Sequence, residues 1–234
     1  MKSGIALILL MLAAAPAMAQ TDPPIGSRLG QRDENAILRG SETRSVLTAH
    51  AFARCIIMKR RSAAAKFLNA ASDAERRATD NVLSRDLGCA SLDRETGGDF
   101  QRVSFPTDIY RGMLAEALIR NDTAFEALPA LERQPSYARV WYAFTGRPGA
   151  VDEMATCVAE TAPTEVRAVL AAEPESAGER IAMRGVAPAL GPCLRVGATL
   201  TSNRQSLRAA LAEAYYHRLY APAEPAAAAD VIVR

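Results

Sequence analysis

Four cysteines, set in two pairs of nearly equal span, constrain this 234-residue chain more than any other feature. Cys55 and Cys89 lie 34 residues apart, and Cys157 and Cys193 lie 36 apart. Four cysteines allow three connectivities, and spacing alone does not select one. The surrounding sequence helps, because it repeats. Ala49, Phe52, Cys55 and Ile56 match Val151, Met154, Cys157 and Val158, in a spacing that puts all four side chains on one helical face. Phe67-Leu68 and Val169-Leu170 follow at equal distances. Glu75-Arg76, Ala78, Val82 and Cys89 then match Glu179-Arg180, Ala182, Val186 and Cys193. Finally, Arg111 to Leu118 (RGMLAEAL) matches Arg208 to Tyr215 (RAALAEAY). Matches in one order, with both cysteines, read as an internal duplication. Each copy then closes its own bridge, Cys55–Cys89 and Cys157–Cys193. In the chain-entropy account each such loop is worth about 3.5–4 kcal/mol.

The expected fold is all-α, with two tandem disulfide-closed helical modules over residues 41–122 and 149–220. The first helix is expected to open near Ser41, where Ser41-Glu42-Thr43 offers capping chemistry, and to run to about Met58. A short helix over 62–71 follows. Ser72 with Glu75 forms a capping box for the next helix, and Ser176 with Glu179 repeats it. Tyr110, Met113, Leu114, Ala117 and Leu118 form an apolar stripe, as do Leu207, Ala210, Leu211, Ala214 and Tyr215. No stretch shows the alternation of a strand. Between the copies, residues 123–148 form a connector holding Tyr137, Trp141, Tyr142 and Phe144, the densest aromatic group in the chain.

The ends carry a different message. Lys2, the apolar run Ile5 to Leu12 and the small residues up to Ala17-Met18-Ala19 have the form of a cleavable signal peptide over 1–19. The apolar run is too short to span a bilayer, which takes about 20 residues. Cleavage before Gln20 leaves a chain with no membrane span, expected in the periplasm or outside the cell, where disulfides persist. Residues 20–40 read as a flexible lead-in, and 221–234, rich in alanine and proline, as a disordered tail. Only three of the 28 basic residues are lysine, which with the abundance of alanine suggests a GC-rich bacterial source.

Charge is close to balance, with 28 basic and 26 acidic side chains, so the chain lacks the field that nucleic-acid binders use. The dense run Lys59-Arg60-Arg61 reads as a cationic helix C-terminus complementing the dipole.

Searches for local chemistry return little. His50 and His217 occupy non-equivalent places in the repeats, and the cysteines lack CxxC spacing, so no metal and no cofactor is expected. Nucleophile elbows, SxxK motifs and phosphate loops are absent. Arg111 and Arg208, repeated with Glu116 and Glu213, lie too far around the helix to pair within one copy and read as solvated. Two arginines could alternatively flank a groove and hold an anion. The candidate ligand or partner surface is therefore Arg111, Arg208, Tyr137, Trp141, Tyr142 and Phe144. The expected role is non-enzymatic: binding a protein partner or serving as a structural component. The alternatives are a carrier of a small apolar ligand, or an enzyme whose carboxylates come from separate helices.

Overall fold

The computed structural model describes residues 37–90, 105–120, 122, 125 and 128–220, apart from 196, 199 and 201. The expected leader and tail, most of the expected lead-in and residues 91–104 lie outside the described residues. The regular elements among them are all helices, with no strand among the described residues.

Helix α1 (Ile37–Leu68) begins four residues earlier than Ser41, which therefore lies inside the helix instead of capping it. Arg60, at φ −135° and ψ 32°, breaks the helix near the expected junction. The basic run thus flanks a kink, and its partner is a side chain. Arg60 Nε donates to Asp86 Oδ2 at 3.1 Å, and Lys59 Nζ lies 3.6 Å from Asp86 Oδ1. Upstream of the kink Ala49, Phe52, Ala53 and Ile56 are buried, and downstream Ala64, Phe67 and Leu68.

Helix α2 (Asp73–Ser84) starts where the capping chemistry placed it. Ser72 Oγ accepts from Glu75 N at 3.2 Å, and Glu75 Oε2 accepts from Ala71 N at 3.0 Å. A short α3 (Leu87–Ala90) carries Cys89, and α4 spans Thr107–Ile119. A 3₁₀ turn (Val140–Phe144) precedes α5 (Gly149–Thr161), α6 (Pro163–Ala171), α7 (Ala177–Cys193) and α8 (Arg204–Tyr220). Ser176 Oγ accepts from Glu179 N at 3.0 Å to start α7, and Glu179 Oε2 accepts from Glu175 N at 2.9 Å.

The bridges join Cys55 to Cys89 and Cys157 to Cys193, the pairing expected from the repeats, each with Cα atoms 5.6 Å apart. The first ties α1 to α3 and is buried at both ends. The second ties α5 to the end of α7, where Cys193 is partly exposed.

At the centre, α4 and α8 form the most extensive helix pair. Helix α1 packs on α4 and carries α2, while α5 and α6 pack on α8 and carry α7. The central crossing is close because Gly112 faces Ala209. A methyl group at position 112 would sit 2.3 Å from Ala209 Cα and 2.4 Å from its Cβ and carbonyl oxygen. Such proximity buries both helices on all sides, including every residue from Asp108 to Ile119. The apolar stripes are real, but the faces opposite them are not solvated.

Candidate functional site

The faces of α4 and α8 that read as solvated carry a buried ionic network. Arg111 and Glu213 are 0% exposed, Arg208 1% and Glu116 2%, which corrects the expectation for all four. The pairs are crossed between the helices. Arg111 Nε donates to Glu213 Oε1 at 2.7 Å. Arg208 donates through Nε and Nη2 to the two oxygens of Glu116, both at 2.8 Å, a bidentate fork. Within one helix the arginine and glutamate still do not meet. Each finds its opposite on the neighbour, so neither arginine forms a ligand-facing surface.

The remaining guanidinium protons cap helix ends. Arg111 donates to the carbonyls of Phe67 and Leu68, at 3.0 and 2.8 Å, closing α1, with the Phe67 ring 5.2 Å away. Arg208 donates to Ala172 O at 2.8 Å and to Glu179 Oε1 at 2.9 Å. Arg120 adds bonds to the carbonyls of Leu170 and Ala171 at the end of α6. A cation at a helix C-terminus satisfies unpaired carbonyls and complements the dipole.

Arg147 extends the network from the connector. Its Nε donates to Asp152 Oδ1 at 2.7 Å, Nη1 to Asp108 O at 2.6 Å and Nη2 to Glu213 Oε2 at 2.5 Å. Thr145 Oγ1 donates to Asp152 Oδ2 at 2.7 Å. Burial alone would raise Glu213, but Arg111 and Arg147 outweigh it and hold its pKa at about 2. Burial likewise opposes ionisation of Glu116, yet the hydrogen bonds and charge of Arg208 hold it below the usual carboxylate range. At Asp152 and Asp108 burial prevails over Arg147, and both are raised.

Both histidines touch this network. His50 Nδ1 lies 3.9 Å from Glu116 Oε2, and burial, aided by nearby arginines, lowers its pKa to about 4. His217 stacks on Trp141 with ring centres 4.2 Å apart, and its buried Nε2 has no hydrogen-bond partner. Burial lowers it too to about 4. Among the described residues no group of three or more His, Cys, Asp or Glu is placed to hold a metal ion.

Of the aromatic group, Tyr137 is buried, and Trp141, Tyr142 and Phe144 are half-buried. The Tyr142 hydroxyl donates to the Tyr137 carbonyl and shares a hydrogen bond of 2.8 Å with Thr156 Oγ1 on α5. With Trp141 against His217, these contacts seat the connector on α5 and α8.

A cleft of about 190 Å³ opens beside the network, between the start of α4, the start of α5 and the segment before α8. Asp108, Arg147, Pro148, Val151, Leu200 and Ser206 are among the residues that line it, and none of the aromatic group does. Among the described residues Asp108 is the only carboxylate at its wall, since Asp152 and Glu213 sit behind Arg147. Sequence reasoning missed Arg147, Asp152 and Asp108, which belong to no motif or repeated pattern that would draw attention to them. The repeated arginine and glutamate on alanine-rich helices were a usable signal that was read for the wrong environment.

Comparison with known protein families, curated proteins and solved structures finds no match to the chain.

Proposed function

We propose that this chain is an exported, disulfide-braced helical module, built by internal duplication, that works by binding a protein partner or as a structural component. The observation that carries this reading is the crossed pairing of Arg111 with Glu213 and of Arg208 with Glu116. Charged groups that recur in both copies are committed to joining the copies and capping their helices. The two capping boxes, with Glu75 bonded to Ala71 N and Glu179 to Glu175 N, and the two bridges of similar span support the duplication from separate elements. Two bridges suit an oxidising compartment, in agreement with the signal-like first 19 residues and the bacterial periplasm as destination.

An enzyme built on carboxylates would place two or more in one cleft with separated pKa values. Among the described residues a single carboxylate lines the cleft, which favours the binding role. The test is expression of the full chain in an exporting bacterium, fractionation, and unreduced native mass spectrometry. A periplasmic species starting at Gln20 and lighter by four hydrogens is expected, with crosslinking in living cells recovering one stoichiometric partner. A cytoplasmic, uncleaved, reduced chain would overturn the export reading. Turnover of a substrate by the purified protein would overturn the non-enzymatic one.

A further inference from the structure

In the cleft beside Arg147 the charges of the described residues do not balance. Three carboxylates, Asp108, Asp152 and Glu213, meet two guanidinium groups, Arg111 and Arg147, and all five residues are at most 8% exposed. Asp152 and Glu213 take the hydrogen bonds of both arginines, while Asp108 gives Arg147 only its backbone carbonyl. The surplus negative charge therefore lies on Asp108, at the cleft wall. Burial raises Asp108 despite Arg147 and despite hydrogen bonds from the backbone amides of Ile109 and Asp108 itself, so the carboxylate has dipoles beside it but no cation of its own.

A second polar group lies in the same wall. Ser206 is 4% exposed, and its hydroxyl has no hydrogen-bond partner. A buried hydroxyl left unpaired is unfavourable by itself. The matching position in the first copy holds Ile109, fully at home in the core, and Asp108 is matched by Gln205. The packing shared by the two copies thus requires neither polar group where it stands. Ser202 also lines the cleft, its hydroxyl donating to Asn203 O at 3.2 Å, and the other walls, from Pro148, Ala150, Val151, Leu194, Ala198 and Leu200, are apolar.

We propose that this cleft binds a small organic cation, a primary amine on a compact apolar body, with the ammonium on the Asp108 carboxylate and the Ser206 hydroxyl. An ammonium supplies the missing charge and a hydrogen bond for each group, and the body covers the apolar walls. The size fits: a closed cavity of about 150 Å³ accepts benzene, and this cleft measures about 190 Å³. Arg147 does not repel the cation strongly, since its charge is already matched by Asp152 and Glu213.

Benzylamine, benzyl alcohol and benzoate share one body and differ in charge, so they test the assignment directly. Each is titrated into the oxidised full-length protein at neutral pH, following the amide resonances of Asp108, Val151, Leu200 and Ser206. Benzylamine should bind saturably at these residues, with the other two weaker by roughly tenfold or more, the worth of a charge-assisted hydrogen bond. Asp108→Asn should abolish that preference while the protein stays folded by circular dichroism, and Ser206→Ala should weaken binding severalfold. Preference for benzoate would make the cleft an anion site centred on Arg147 and overturn the proposal. So would equal binding of benzylamine and benzyl alcohol, unchanged affinity in Asp108→Asn, or no saturable shift in the wild type. If Asp108→Asn unfolds, the three-ligand ranking on the wild type decides alone.

Discussion

Replacing Gly112 by alanine sets two well-measured effects against each other. Helix propensity favours alanine over glycine in a helix interior by about 1 kcal/mol. On that ground alone Gly112→Ala in α4 should stabilise the protein. The structure predicts the reverse. The new methyl would lie 2.3 Å from Ala209 Cα and 2.4 Å from its carbonyl oxygen, where ordinary contacts begin at 3.4 Å. The obstacle is backbone, so no rotamer change relieves it, and α4 and α8 must separate by about 1 Å. Overpacking of a core commonly loses about 1–3 kcal/mol. Here the separation also stretches Arg111–Glu213 and Arg208–Glu116, which straddle the crossing. Losing one partner of a buried pair is worth about 3–5 kcal/mol, and stretching forfeits a fraction of that. After subtracting the propensity gain, a net loss of at least about 2 kcal/mol is expected. Urea unfolding of the oxidised protein, followed by circular dichroism, measures it as a lower midpoint at unchanged slope. Ala209→Gly in the same chain should restore only part of the loss, because it removes the Cβ contact and leaves those to Cα and oxygen. A midpoint equal to or above that of the wild type would refute the close crossing.

Acid should destabilise the protein earlier than its carboxylates alone would. His50 and His217 titrate at about 4 when folded and at 6.5 otherwise, so the unfolded chain takes up protons first as pH falls through 6.5. Stability then declines between those values by roughly 3 kcal/mol per histidine. Glu213, held at about 2, carries the decline below 4.5, whereas the raised Asp108 and Asp152 return part of it. Urea midpoints measured across this range should slope, and the slope should fall in His217→Asn; a flat profile would contradict neutral buried histidines. Limiting reductant should open Cys157–Cys193 before Cys55–Cys89, because Cys193 is the one partly exposed end, and alkylation followed by peptide mass mapping reads the order. Glu179→Gln should lower stability well beyond Glu75→Gln in thermal melts. Both residues complete capping boxes, but the buried Glu179 also pairs with Arg208 and Arg204, whereas Glu75 is exposed.

Local signals in the sequence translated well into structure. Ser72 and Ser176 begin helices because their hydroxyls meet the third amide beyond them, a relation wholly contained in four residues. The cysteine pairing followed from the repeated context, and the break expected between Met58 and Ser62 falls at the Arg60 kink. Long-range environment did not translate. The same stripe of Met113, Leu114, Ala117 and Leu118 suits a surface helix and a central one, and only the small Gly112 hints at a neighbour on the far side. Arg111 and Glu116 look solvated until the partners on α8 are known, since those partners lie about a hundred residues away. Arg147, in a loop with no regular pattern, gave no sign that it would enter the core.

The crossed pairs also impose a sequence of events on a growing chain. Arg111 meets its carboxylate 102 residues downstream, and Glu116 its guanidinium 92 residues downstream. Until α8 has been made, α4 presents an unmatched arginine, an unmatched glutamate and a bare glycine groove, none of which can be buried at acceptable cost. The first half, despite holding its own disulfide, is therefore not expected to fold alone. Domains often fold in turn from the N-terminus as they emerge. Here the central crossing is expected to close only once the last helix is available, so the order of synthesis and the order of burial differ.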